Sequence, residues 1–220
     1  MIVGYEHPYV TVDMIIFTVD REWNLKVLLT QRTDEPFKNK WSLPGGFVNI
    51  DENLDDCALR KLQEKVDISF LKFEQLYTFG SVHRDPRDRV ISVAYFSLVP
   101  YDKFLTLKDN AKWFNVKELP ELAFDHNHII ETAIRRIQGK LEYTSLAFEL
   151  LKDRENFTIY ELQKINEVIL EKKLDVPNFR RSFFKRYLDT GVVKETGETS
   201  REFSKTPSKL YKCVKAINEM

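Results

Sequence analysis

Near residue 140 the apolar rhythm of this 220-residue chain changes, and the change restricts what it can fold into. Upstream, apolar residues come in strand-length runs: VTVDMIIFTV at 10–19, LKVLLTQR at 25–32, FEQLYTFGSV at 73–82 and RVISVAYFSLV at 89–99. The last is nearly continuous, as expected of a strand covered on both faces. DREWN at 20–24 predicts a hairpin between the first two runs, and WSLPGGFV at 41–48 a loop punctuated by Pro44, Gly45 and Gly46. Leu54, Ala58, Leu62 and Val66 recur at every fourth position, which predicts a helix from Asn53 to about Val66. ELPELAFDH at 118–126 reads as a turn and a short element before a second helix from about Asn127 to Gln138. Strands and helices in this order predict an α+β or α/β unit with a mixed sheet over residues 1–140.

Downstream the pattern is helical. YTSLAFELLKD at 143–153 and TIYELQKINEVILEKK at 158–173 both read as helices. Thr158 is an N-cap with Glu161 three residues on, a capping box. DVPNFRRSFFKRYLDTG at 175–191 predicts a third helix, with Pro177 in its first turn and Gly191 just past its end. Strand-like ends then flank a basic loop rich in Gly, Ser, Thr and Pro at 192–214. Three helices followed by a β-hairpin is the element order of a winged helix-turn-helix, expected here over residues 141–220.

Charge separates the two parts as well. The chain is neutral overall, yet residues 180–215 carry ten Lys/Arg against four Asp/Glu, leaving the rest acidic. A basic end on an acidic body suits a module that touches polyanions. At about 100° per residue, Phe179, Phe183, Phe184, Tyr187 and Leu188 form one side of the third helix. Asn178, Arg181, Ser182, Lys185 and Arg186 form the other, a donor-rich face suited to the major groove. Arg180 falls inside the apolar arc and is read as snorkelling to a phosphate or pairing internally. Arg201, Lys205 and Lys209 in the wing suit phosphate contacts. The alternatives are an amphipathic helix whose charges are merely solvated, and a winged helix that binds protein.

The segment GGFVNIDENLDDCALRKLQEKVDI at 45–68 resembles the Nudix box, G-x5-E-x7-R-E-U-x-E-E-x-G-U with U aliphatic. Gly46, Glu52, Arg60, Leu62, Glu64 and Ile68 agree with it, whereas Lys61 and Lys65 replace glutamates and Asp67 replaces the glycine. In that family the helix glutamates hold Mg²⁺ and take part in diphosphate cleavage. A lysine within about 4 Å of a cation repels each unit of its charge by roughly 4 kcal/mol at an effective dielectric of 20. The resemblance therefore implies a degenerate box with no catalytic residues, no required cofactor and no metal. Mg²⁺ would enter only with residual hydrolysis, on Glu64. Lys61 and Lys65, one turn apart on a helix, either take over the metal's role against phosphate oxygens or point into water.

Across nearly its full length the chain resembles the Nudix-related transcriptional regulators of NAD metabolism. The landmarks are WSLPGGFV, the damaged box, RDPRDRVISVAY, LAFDH, TSLAFELL, FTIYELQKI, NFRRSFFKR and PSKLYK. The resemblance implies an α-β-α sandwich sensing ADP-ribose or, in some relatives, a sugar. It also implies a homodimer on a double-stranded, palindromic operator. Arg32, Gly45, Gly46, Lys61, Glu64, Arg84, Arg87 and Arg89 are the expected effector-binding residues, since arginine forks suit diphosphate and ribose. A salt-bridged turn with Asp85 and Asp88 is the alternative for the three arginines in HRDPRDR, and His126 and His128 are read as structural. The rival function is an active, Mg²⁺-dependent ADP-ribose pyrophosphatase with an appended interaction module. No apolar run approaches a membrane span, MIVGYEHPYV has no signal-peptide pattern, and Cys57 and Cys213 form no pair, Cys57 being a core residue on its helix stripe. A cytoplasmic protein without membrane contact is expected.

Overall fold

A computed structural model describes residues 6–66, 71–104 and 107–214. The chain clusters into two compact units, one built on residues up to Arg135 and one from Arg136 onward that also gathers Thr18–Leu25 and Leu98–Leu105.

The first unit holds most of a seven-stranded sheet. Its strands are β1 (Tyr9–Val19), β2 (Leu25–Gln31), β3 (Trp41–Ser42), β4 (Gly45–Phe47), β5 (Glu74–Phe79), β6 (Val90–Leu98) and β7 (Ala111–Asn115). They run in the order β3-β2-β1-β6-β5, with β4 also on β1 and β7 on β2. β1 is buried from Thr11 to Val19, which is why its sequence is apolar without alternation. Bonds between β1 and β6 advance together along both strands, from Thr11 on the Ile91 carbonyl to Thr18 on the Val99 carbonyl. That parallel neighbour beside antiparallel β4, β3, β7 and β5 pairings makes the sheet mixed. The β1–β2 hairpin is the predicted one: Asp20 accepts from the Glu22 and Asn24 amides at 3.0 and 2.8 Å.

Two segments differ from the sequence reading. WSLPGGFV is not a plain loop but supplies β3 and β4, pinned by register pairs such as Asp13↔Gly45. AKWFN forms β7 against β2 although its residues are mostly half-buried, so no period-2 pattern marks it. Helix α1 (Leu54–Val66) buries Cys57, Ala58, Leu62 and Val66, the predicted stripe. Helix α2 spans His126–Leu141.

The second unit contains helices α3 (Ile159–Leu170) and α4 (Val176–Phe183) and the hairpin β8 (Val193–Ser200) and β9 (Ser208–Cys213). The helix expected over 143–153 is only a 3₁₀ turn, Leu146–Leu150. Its apolar residues are nearly consecutive, and one tight turn suffices to bury Ala147, Phe148, Leu150 and Leu151. Phe157 pairs with Tyr211 of β9, tying the segment before α3 to the wing. Phe148, Phe157, Phe183, Tyr187 and Tyr211 pack as an aromatic core between these elements. α4 starts at Asp175, whose carboxylate accepts from the Asn178 amide at 3.0 Å with Pro177 in the first turn. It continues into a π-helical turn, Phe184–Leu188, and Gly191 beyond it takes φ +72°. No helix among the described residues is long and apolar enough to cross a membrane.

The capping box forms as expected. Thr158 accepts from the Glu161 amide at 3.1 Å, and the backbone amides of Thr158 and Lys152 act to lower the pKa of the Glu161 carboxyl. Burial nevertheless outweighs those bonds and, with Glu202 adding to it, pushes Glu161 up to about 7. Folding thus takes up a proton, so the contribution is most favourable below the ordinary carboxylate pKa and is lost as pH rises through about 7. Glu161→Gln keeps a capping acceptor without the charge. It should flatten this pH dependence and stabilise the chain by about 2 kcal/mol above pH 7. Denaturant titrations at pH 5 and pH 8 check this; a variant with wild-type pH dependence would refute it.

Candidate functional site

The first unit's cavity begins at the glycine pair. A Cβ on Gly45 would lie 2.3 Å from the Val12 carbonyl and 2.7 Å from Asp13 Oδ1, so β4 approaches β1 only without a side chain there. At Gly46 the obstacle is different: a Cβ would meet Lys61 Cε at 2.7 Å and Cδ at 2.9 Å. The lysine stem therefore lies across β4, where α1 packs.

Arg60 of α1 organises the surrounding charges. Its Nε and Nη2 donate to both oxygens of Glu52 at 2.6 Å, and Nη1 donates to Glu64 at 3.1 Å. Lys61 Nζ takes the other Glu64 oxygen at 2.7 Å. The Arg60 bonds pull Glu52 down to about 2, and Lys61, then Arg60, lower Glu64. Both glutamates of the box are thus spent on the chain's own cations. Lys65 is half-buried and makes no hydrogen bond or ion pair with a described residue. Burial, then Lys61 and Arg32, holds its pKa below the ordinary lysine value.

These groups border a cavity of about 290 Å³ lined by six cationic side chains, Arg32, Arg60, Lys61, Lys65, Arg84 and Arg87, against the carboxylates Asp13 and Asp85. The arginines differ in how free they are. Arg84 is buried, forked onto Asp125 at 3.0 and 2.7 Å and 3.4 Å from Asp13. Its donors are committed to Asp125 and Asp13, so it lines the cavity as a paired group. Asp13 also accepts from Ser92 at 2.5 Å and lies 3.6 Å from His126 Nε2. His126 accepts the Leu43 amide at Nδ1, and burial lowers its pKa, so it is a neutral structural group with its proton on Nε2. Arg87 is forked onto Asp85 at 2.9 and 2.6 Å, the salt-bridged-turn alternative, yet keeps its guanidinium 5.2 Å from Phe47 and 5.5 Å from Phe124. Arg32 lies 4.9 Å from the Phe124 ring. Phe124, at φ +56°, therefore stands within cation–π range of two arginines.

Of the expected effector residues, Arg32, Gly45, Gly46, Lys61, Arg84 and Arg87 line this cavity. Arg89 does not: it donates to the Gly80 and Ser81 carbonyls and closes its own loop. Glu64 stands behind Arg60 and Lys61 rather than on the cavity wall, and Asp67 lies outside the described residues. Sequence reasoning missed Phe47, Phe124 and the Asp13–Asp125 support; LAFDH carried Phe124 and Asp125 without indicating their roles. Among the described residues no group of three or more His, Cys, Asp or Glu is placed to hold a metal. With Glu52 and Glu64 clasped and two lysines at the cavity, these residues do not fit the divalent ion of a Nudix box.

On the second unit, Asn178, Arg181, Ser182 and Lys185 are exposed on one side of α4 and its π turn, opposite buried Phe183 and Tyr187. Arg186 leaves that side: it donates to the Thr144 carbonyl at 3.4 Å and packs over Tyr187 at 5.2 Å. Arg180 is exposed rather than internally paired and borders a groove of about 440 Å³ with Tyr160 and Phe203. In the wing, Arg201 and Lys205 are exposed at the loop, while Lys209 is paired across the strands with Glu195 at 2.9 Å.

Comparison with known proteins agrees with both halves. Residues 7–136 match the NUDIX domain family, and residues 147–213 match the NrtR DNA-binding winged helix domain. The ADPR responsive transcriptional repressor NtrR of Acinetobacter baylyi is 39% identical, over 94% of this chain and 83% of that protein. An ADP-ribose pyrophosphatase of Methanocaldococcus jannaschii is 38% identical over 61% of this chain and 78% of its own length. Shewanella oneidensis NrtR, solved with a 27mer DNA, superposes with TM-score 0.80 at 36% identity, covering 94% of this chain and 93% of that one. Its NUDIX domain, solved with ADP ribose, is 38% identical with TM-score 0.54 over 61% of this chain and 91% of that one.

The glycine pair gives a direct check on the site geometry. Gly45→Ala meets backbone and should cost about 3 kcal/mol or more. Gly46→Ala meets only the flexible end of Lys61 and should stay within about 1 kcal/mol of wild type. Chemical denaturation of both variants measures this, and the opposite ranking would contradict the packing described.

Proposed function

This chain belongs to the Nudix family, and within it to the NrtR-type proteins that carry a winged helix; from that premise we propose that it is a DNA-binding transcriptional repressor whose Nudix domain binds ADP-ribose, or a related nucleotide or sugar, without cleaving it. The observation that carries the reading is the cavity: six cationic side chains against two carboxylates, with both box glutamates already neutralised. Such a wall attracts a diphosphate, and its two carboxylates, Asp13 and Asp85, are already paired with Arg84 and Arg87 rather than free for the ion that would activate water. Phe47 and Phe124 supply flat apolar faces for a ribose or base beside the charges.

On this reading residues 1–140 sense and residues 141–220 read DNA. Asn178, Arg181, Ser182 and Lys185 enter the major groove, and Arg201 and Lys205 hold phosphates. Arg180 borders the same domain's groove and is positioned for the backbone, whereas Arg186 and Lys209 contribute less because each already has a partner. The protein acts in the cytoplasm as a homodimer whose two recognition helices meet successive major-groove turns about 34 Å apart, so a ligand that alters their spacing alters the grip on DNA. Likeness to a pyrophosphatase keeps one rival in view, an enzyme working on Glu52 and Glu64.

The test begins by selecting duplexes from a random library with the full-length protein, then titrating the selected site by fluorescence anisotropy. Replacing Arg181 and Lys185 together by Ala should weaken binding by about 10²-fold or more, at roughly 1–3 kcal/mol per lost contact. It should also flatten the dependence on salt. ADP-ribose should shift the wild-type affinity and still bind the double variant. Unchanged DNA affinity in that variant would remove the DNA assignment.

A further inference from the structure

The proposal that ADP-ribose occupies the Nudix cavity leaves open what neutralises its diphosphate. Resting on that reading, we infer that this chain binds a diphosphate ligand without a divalent metal, the ammonium groups of Lys61 and Lys65 standing in for the cation that a Nudix box would hold there.

Three observations converge on it. The first concerns the carboxylates. Glu52 accepts two short bonds from Arg60, and Glu64 is divided between Arg60 and Lys61, so a metal would have to displace built-in cations to reach either. The second concerns place. Lys61 and Lys65 line the cavity beside Gly46, and the Lys61 stem is held against that glycine by the close approach of α1 to β4. Its ammonium is placed there by the 2.7 Å bond to Glu64. The third concerns Lys65. It is half-buried and, among the described residues, has no hydrogen-bond or ion-pair partner, while every other cation on the cavity wall already makes hydrogen bonds to protein oxygens.

A half-buried ammonium with no hydrogen-bonded or ion-paired carboxylate among the described residues is costly to keep, and a bound anion relieves that cost. Its depressed pKa is the expected signature, with burial the largest cause and Lys61 and Arg32 adding to it. Asp34 and Glu64 act on it in the opposite sense without outweighing these. A phosphate oxygen at this point would accept from Lys65 directly and lie near Lys61, whose ammonium shares Glu64 with Arg60, so that two ammonium groups stand where a divalent ion stands elsewhere. The lysines thus convert a metal-dependent site into a metal-free one, and binding is separated from hydrolysis because no ion remains to activate water.

Isothermal titration of the full-length protein with ADP-ribose, once in EDTA and once in excess Mg²⁺, tests this. The expected dissociation constants agree within threefold, and Lys65→Met, which keeps the apolar stem and removes the charge, weakens binding at least tenfold in EDTA. A thermal melt confirms that the variant is folded. Binding more than threefold tighter with Mg²⁺, or a Lys65→Met variant that binds like wild type in EDTA, overturns the inference and leaves the sensor reading standing. If ADP-ribose binds under neither condition, the choice of effector fails. Inorganic pyrophosphate in EDTA then decides the inference by itself: binding lost in Lys65→Met upholds it, and no binding overturns it.

Discussion

Arg60 is the residue on which the first half of the molecule turns. It lies one helical turn before Glu64 on α1 and eight residues after Glu52, and it bonds both. The clasp joins the loop after β4 to the middle of α1, so the glycine strand and the helix approach closely enough for the Lys61 stem to rest on Gly46. The frame of a metal site persists in this chain because it is a packing frame as well: the close approach of β4 to β1, the buried stripe of α1 and the arginine clasp all work without an ion.

The second half is organised by a different force. Phe183 is fully buried against Phe157, Tyr187 and Tyr211, which come from the segment before α3, the π turn and the wing. Aromatic packing at one point therefore sets the direction of α4 relative to both wing and helix α3. The exposed side of α4 carries its donors because the other side is committed to this core. This gives a short helix a rigid base, and the capped start at Asp175 with Pro177 adds to it.

Much of this was legible in the residues. A stripe at Leu54, Ala58, Leu62 and Val66 announces α1 because burial on one helix face has a fixed period, and Asp20 or Thr158 announces a turn or cap because its chemistry is local. Long-range partners left no such mark. Arg84 looks like a ligand fork until Asp125, 41 residues away, and Asp13, 71 residues away, take its donors. About 100° per residue puts Arg186 on the donor face, but the chain from Phe184 to Leu188 is π-helical, with more residues per turn, and turns it away. β7 escaped notice because half-buried residues on both faces erase alternation. Phe124 was invisible as a site residue, since its role depends on a left-handed backbone between two arginines that no local pattern encodes.

A cavity that senses ADP-ribose must hold its diphosphate intact. Full-length protein mixed with ADP-ribose and Mg²⁺, followed by phosphorus NMR over hours, measures this directly. Diphosphate resonances that shift or broaden while keeping their total intensity are the predicted result. Growth of monophosphate resonances, abolished in Glu64→Gln, would contradict it and return the chain to the hydrolases.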